Sequence, residues 1–243
     1  MKDIEIIAFD ADDTLWSNEP FFQEIERKFA DLLSIYKDTK EISAELFKTE
    51  MNNLECYGYG AKGFTLSMIE TALRISPPMS PTSGWELRIS NHNVSAEIIN
   101  EILSLGKSLL NMPIELLPGV EETLRTLKQS NRHRLIVATK GDLLDQQRKL
   151  QRSGLASYFD YVEIMSDKTE KEYAKLINTL QVPPEKFMMI GNSLKSDIQP
   201  VLAIGGYAVH VPFEVMWQHE VVENFEHPRL RKVKRMGEIV ISD

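Results

Sequence analysis

The sequence predicts an open α/β sheet whose first strand is followed by a mostly helical insertion. Three observations predict it. Short apolar runs recur at residues 4–9, 135–138, 161–164, 187–190 and 208–211, each ending in polar or small residues. They read as parallel strands buried on both faces, since a strand covered on both sides needs no alternating polar face. Helical patterns alternate with the later runs, as expected of an α/β sheet. Finally, residues 17–111 lack this alternation and carry helical periodicity instead.

The first run, IEIIAF, ends at Asp10. In the insertion, Phe21, Phe22, Ile25, Phe29, Leu32 and Leu33 recur at helical spacing, as do Leu66, Ile69 and Leu73, and later Ile98, Ile102, Leu105 and Leu109. Pro77, Pro78 and Pro81 mark a loop inside it. After the Leu117-Pro118-Gly119 turn, helices are predicted at 120–128, 143–153, 170–180 and 196–204. The expected division is a core of residues 1–16 and 112–243 and an inserted helical domain of residues 17–111. There is no internal repeat and no low-complexity segment.

The chain has 243 residues, 42% hydrophobic and 26% charged, which suits one full core and a smaller one. A net charge of -8 repels polyanions and leaves no electrostatic footprint for nucleic acid or an anionic membrane. A small phosphate ester remains compatible, because local cations or a bound metal dominate a site at short range. Acidic residues interrupt the early apolar run, so no targeting leader is expected, and no stretch approaches the ~20 apolar residues of a membrane helix. The single cysteine, Cys56, cannot form an intramolecular disulfide. A cytoplasmic protein is expected. Oligomeric state is not encoded in any pattern here.

In open α/β sheets, ligands bind beyond the carboxyl ends of the strands. The residues there are Asp10, Asp12 and Asp13; Thr139, Lys140 and Gly141; Lys168; and Gly191, Asn192, Ser193 and Asp197. Attack on a phosphoryl group is opposed by its own negative oxygens, and the leaving oxygen needs a proton. Asp10 can be the nucleophile and form an acyl phosphate. Asp12, two residues on, would share its side if strand geometry persisted, and could protonate the leaving oxygen and then activate water. Thr139 and Lys140 can meet phosphoryl oxygens, and Lys168 supplies positive charge. Asp10, Asp12, Asn192 and Asp197 form an oxygen-rich set suited to magnesium. The competing structural roles are a turn for the first motif and helix caps for Thr139 and Asp197.

On FDADDTLW, ATKGD, SDKTEKEY and GNSLKSD, in that order and each after a predicted strand, the chain resembles the haloacid dehalogenase-like hydrolases. The resemblance implies a Rossmann-like core, Asp10 as nucleophile and Asp12 as acid/base. It further implies Thr139 and Lys168 on the phosphoryl group, and magnesium held by Asp10, the Asp12 carbonyl and Asp197. It makes the insertion a mobile helical cap of the kind placed after the first strand. Three positions depart from the pattern. Asn192 stands where many members have an acid, so its metal contact is direct or through water. Lys140 replaces an asparagine. Thr169 replaces a proline after Lys168, which leaves Lys171 as an alternative anchor.

Within the insertion, YGYGAKGF places Lys62 in a glycine-rich aromatic segment that is either a substrate contact or a turn between helices. Trp16 and Phe21 read as packing residues. The cluster Arg229, Arg231, Lys232, Lys234 and Arg235 reads as a solvated amphipathic segment, and His210, His219 and His227 lack metal-ligand spacing. The expected function is a magnesium-dependent phosphohydrolase acting on a small phosphorylated metabolite. Haloacid dehalogenation, phosphomutase chemistry and a non-catalytic binding role on the same scaffold are the rivals.

Overall fold

A computed structural model describes residues 3–76 and 94–239. In chain order it contains β1 (Ile6–Phe9), α1 (Glu19–Leu32), α2 (Thr39–Tyr57), α3 (Ala61–Ile75), α4 (Ala96–Leu110), α5 (Val120–Ser130), β2 (Arg134–Lys140), α6 (Leu143–Arg152), β3 (Tyr161–Met165), α7 (Glu170–Thr179), β4 (Phe187–Gly191), α8 (Gln199–Ala203), β5 (Tyr207–His210) and β6 (Leu230–Lys232). A π turn, Leu194–Ile198, leads from β4 into α8. Two compact units result, Met1–Pro20 with Pro113–Asp243, and Phe21–Met112. The loop expected at Pro77, Pro78 and Pro81 lies outside the described residues.

The first unit holds a six-stranded sheet in the order β3-β2-β1-β4-β5-β6, with every ladder parallel. This is an α/β, Rossmann-like fold. Successive residues of β1, β2 and β4 enter different cores. Ile7, Phe9, Leu135, Val137, Met188 and Ile190 pack with Val120 and Leu124 of α5 and Leu150 of α6. Ile6, Ala8, Ile136, Ala138, Phe187 and Met189 pack with Tyr173, Leu176 and Ile177 of α7 and Val201 of α8. Alternation between two buried faces is why these strands read as unbroken apolar runs.

Strand order reverses between β1 and β4, so their carboxyl ends diverge into the crevice where such sheets bind ligands. The backbone N–H of Asp10 donates to Ile190 O at 2.9 Å and ties the two ends together.

Two segments differ from the sequence expectation. The basic segment expected to be a solvated amphipathic stretch contributes β6, paired with β5. Leu230 packs on Leu194, Ile198 and Leu202, and Val233 and Met236 are buried in the main core. Three residues are too few to show a period of two, so the strand has no signature of its own. The single helix expected at 196–204 is a π turn followed by the short α8, with a proline in the first turn of α8. Pro200 has no N–H to continue an earlier ladder, so the helix restarts there.

The second unit is helical. Ile25, Phe29 and Leu33 join Ile42 and Leu46 of α2, Phe64, Met68 and Ala72 of α3, and Ile102, Leu105 and Leu109 of α4 in one core. Gly106 lets α4 come against α3, since a Cβ there would lie 2.0 Å from Thr65 Oγ. Among the described residues no helix is long and apolar enough to cross a membrane.

Candidate active site

Asp10 follows β1 directly and is almost fully buried. Its two carboxylate oxygens have different donors. Lys168 Nζ donates to Oδ1, and Thr14 Oγ donates to Oδ2 at 3.0 Å. Thr14 is itself fixed from β4: the N–H of Asn192 donates to its hydroxyl at 3.1 Å, and Asn192 Oδ1 lies 3.2 Å from that same hydroxyl. Thr14 thus joins the loops after β1 and β4, a role that only its place within D-x-D-x-T signals.

Lys168 precedes α7, whose N-cap is Thr169. Its side chain is 2% exposed, and its ammonium also donates to Asp197 Oδ1 at 2.6 Å. Burial opposes the charge, but Asp10 and Asp197 outweigh it and hold the ammonium well above the ordinary lysine value. Burial likewise lifts the Asp10 carboxyl from 3.8 to about 7, against Lys168 and with repulsion from Asp197. Lys171 is exposed on α7. The lysine in contact with Asp10 is therefore Lys168.

Asp197 sits in the π turn and is 1% exposed. Its Oδ2 accepts the N–H of Ser193 at 2.9 Å, and the turn is capped by Ser193, not by Asp197. Gly191 makes room for it: a Cβ at 191 would lie 2.3 Å from Asp197 Oδ2. A π turn places one residue more per turn than an α-helix, a deviation concentrated at functional sites. His210 Nε2 lies 2.9 Å from the Asn192 carbonyl and steadies the same loop.

Asp12 does not continue the strand. Residues 11–16 fold into a tight loop in which Asp12 bridges Trp16 and Asp13 adopts a left-handed φ of 61°. The strand ends at Phe9, so strand alternation does not decide where Asp12 points. Asp12 instead accepts from Trp16 Nε1 at 2.7 Å, Gln146 Nε2 at 2.7 Å and Lys149 Nζ at 3.1 Å. Asp13 accepts the N–H groups of Asn18 and Glu19 at 2.8 and 3.0 Å. Burial raises Asp13 from 3.8 to about 7, against the pull of these backbone donors.

Thr139 is buried near the end of β2, two residues past Val137, which pairs with Phe9. The cap of α6 is Asp142, whose carboxylate accepts Asp145 N, so Thr139 is not that cap. Lys140 donates to Glu220 and, at 2.9 Å, to Ser196 Oγ. Glu220 also accepts from the hydroxyls of Ser193 and Ser196. Burial would raise its carboxyl, but Lys140 and these hydroxyls bring it down to about 2. Ser193 and Ser196 lie within GNSLKSD, but Glu220 belongs to no motif, and nothing in the sequence signals its contact with them.

Lys62 is exposed in the first turn of α3, in the second unit. The first unit thus brings together Asp10, Asp12, Thr139, Lys140, Lys168, Asn192 and Asp197 at the carboxyl edge of one sheet. Asp10 and Asp197 converge on Lys168, whereas the Asp12 carboxylate has a separate set of partners. Among the described residues no group of three or more His, Cys, Asp or Glu forms a ready metal shell.

A family profile described as haloacid dehalogenase-like hydrolase matches residues 4–205. A crystal structure of a haloacid dehalogenase-like family hydrolase from Xanthomonas campestris is 37% identical, with a TM-score of 0.80 covering 96% of this chain and 88% of that one. The HAD hydrolase YfnB from Bacillus subtilis, solved bound to magnesium, shares the fold at 17% identity and a TM-score of 0.56, covering 86% of this chain and 89% of its own. The N-acylneuraminate-9-phosphatase of Homo sapiens is 31% identical over 132 residues, which is 51% of this chain and 52% of the relative. The alignment thus spans about half the length of that curated relative. The profile match over most of the sequence and the near full-length likeness to the Xanthomonas structure agree: the chain belongs to the haloacid dehalogenase-like hydrolases.

Proposed function

We propose that this hydrolase is a magnesium-dependent phosphatase that acts on a small organic phosphate monoester through a phosphoryl-aspartate at Asp10. The observation that carries the reading is the setting of Asp10. It is a buried carboxyl at the strand-order reversal, with Lys168 on one oxygen and Thr14 on the other. The phosphatase relative over half the chain supports the same chemistry.

In the first half-reaction a carboxylate oxygen of Asp10 attacks phosphorus, and the bond from phosphorus to the leaving oxygen breaks. Asp12 supplies the proton that the leaving oxygen takes up. In the second half, water attacks the phosphorus of the acyl phosphate and gives its proton to Asp12. Inorganic phosphate departs and the Asp10 carboxylate is restored. Lys168 offsets the negative charge of nucleophile and substrate, and Thr139 donates to a phosphoryl oxygen.

The donor set fits a hard dication. Asp10, Asp12, Asp13, Asp145, Asp197 and Glu220 are set against Lys140, Lys149 and Lys168 along one edge, a surplus of carboxyl groups, and every candidate ligand atom is an oxygen. Asp10, Asp197, Asn192 and the main-chain carbonyl of Asp12 would hold magnesium, which when bound supplies charge neutralisation between carboxylate and phosphate. The Asp12 carboxylate, occupied by Trp16, Gln146 and Lys149, is left for proton transfer.

Residues 17–111 are proposed as the cap that supplies substrate discrimination, with Lys62 as its substrate-contacting residue and a cytoplasmic metabolite as substrate. Hydrolysis of para-nitrophenyl phosphate should vanish with chelator and return with magnesium. Full turnover in metal-free buffer would overturn the metal assignment. Lys62→Ala should lower kcat/KM for the best substrate in a panel of phosphorylated metabolites far more than for the aryl phosphate. Equal effects would remove Lys62 from specificity.

A further inference from the structure

Lys149 lies in the last turn of α6, where a lysine is ordinarily solvated, yet its side chain is 4% exposed. Its ammonium lies 3.1 and 3.2 Å from the two oxygens of Asp12, 2.8 Å from Asn18 Oδ1 and 3.5 Å from Asp145 Oδ2. Gln146, one turn earlier on the same face, donates its amide to Asp12 Oδ2 at 2.7 Å and to Lys140 O at 3.3 Å. From the other side, Trp16 Nε1 donates to Asp12 Oδ1 at 2.7 Å. Asp12 is thus held on both oxygens by donors from two separate segments. An indole N–H and an ammonium can only donate, so they fix the Asp12 carboxyl through acceptor lone pairs that it has in either protonation state.

Convergence of a lysine, a glutamine and a tryptophan on one carboxylate fixes its orientation as well as compensating its charge. A carboxylate that must meet first a leaving oxygen and then a water does need a fixed orientation, because misplacement of a reacting group by about 1 Å costs up to ~100-fold in rate. We propose that Lys149 is a positioning residue for Asp12: with Gln146 and Trp16 it holds the Asp12 carboxylate in the orientation from which it exchanges protons during phosphoryl transfer. This rests on the reading of Asp12 as the acid/base. Asn18 and Asp145 act one step further out, by fixing the ammonium of Lys149.

The test is a double-mutant cycle on the full chain in magnesium, with phenyl phosphate as substrate. Lys149→Met should lower kcat by ~10- to 100-fold and leave KM within about twofold, the split expected when an orientation needed only in the transition state is lost. Lys149→Arg should recover much of that loss, because a guanidinium can reach the same oxygens. In an Asp12→Asn background, Lys149→Met should cost less than about twofold, since the group it positions is no longer functional. Multiplicative losses in the double variant, a change confined to KM, or an unchanged kcat would each overturn the proposal. If Lys149→Met does not fold, Gln146→Met applies the same cycle to a neutral member of the cradle. Asp12→Asn with wild-type activity would overturn the acid/base reading and this inference with it. An impaired Asp12→Asn that shows no coupling to Lys149 would overturn this inference alone.

Discussion

Lys168 is held between two carboxylates in a place that water barely reaches, and its removal tests what that pairing is worth. Lys168→Met leaves Asp10 and Asp197 buried and mutually repelling. Breaking a buried pair in this way costs about 3–5 kcal/mol, which urea unfolding of the variant should register together with loss of turnover. Millimolar magnesium should restore part of the stability, because a cation that binds only the folded state stabilises it by mass action. Stability equal to wild type without metal would show that the two acids are not charged neighbours. At this scale the sequence speaks unevenly. Asp10, Asp12, Lys168 and Asp197 stand at strand ends and can be singled out by position. Lys149 and Gln146 cannot: on paper they are polar residues of a helix, and only the packing of α6 against the loop after β1 turns them inward. Thr14 is visible as a motif letter, but its bond to the β4 loop is not.

At the scale of elements, two glycines mark close approaches that substitution should disturb in different ways. Gly191→Ala would drive a methyl into the Asp197 carboxylate. It should abolish activity while the sheet, buried elsewhere, keeps the fold; unchanged kcat would mean that Asp197 does not need its present position. Gly106→Ala would meet Thr65 on α3 and should destabilise the helical unit by about 1–3 kcal/mol through overpacking. Glu50 on α2 supplies a pH signature for the same unit. Burial pushes its carboxyl up from 4.5 to about 8, with Glu26 adding repulsion. The folded state holds a proton that the unfolded chain releases, so this contribution is complete below about 4.5 and is lost as pH rises through about 8. Urea midpoints measured from about pH 5 to about pH 9 should fall more steeply for wild type than for Glu50→Gln; parallel curves would contradict the assignment. β1, β2 and β4 are legible because both faces of each are buried, so they appear as plain apolar runs, while β3 and β5 show as shorter apolar stretches. β6 is not, being three mixed residues whose pairing depends on β5. Nor is the π turn, which arises from a local bonding choice between Ser193 and Ile198 that composition does not record.

For the whole molecule, the net charge of -8 and the surplus of carboxyl groups at the sheet edge act against an anionic substrate, a repulsion that the proposed magnesium would offset locally. The α/β class follows from the alternation of runs and helices, and the four motifs fall at the ends of strands that the topology makes neighbours. What no run of residues contains is the substrate, because the roles proposed for the groups at the sheet edge concern only the phosphoryl centre. The central claim is that a phosphoryl group passes through Asp10, and rapid quenching with intact-mass measurement tests it most directly. With magnesium and acetyl phosphate, the Asp12→Asn chain should gain the mass of one phosphoryl group, because an acyl phosphate needs little protonation to leave while the water that should follow has no base. The Asp10→Asn chain should gain none. A phosphoryl group found on Asp10→Asn, or mapped to a serine or histidine of the wild-type chain, would contradict the account.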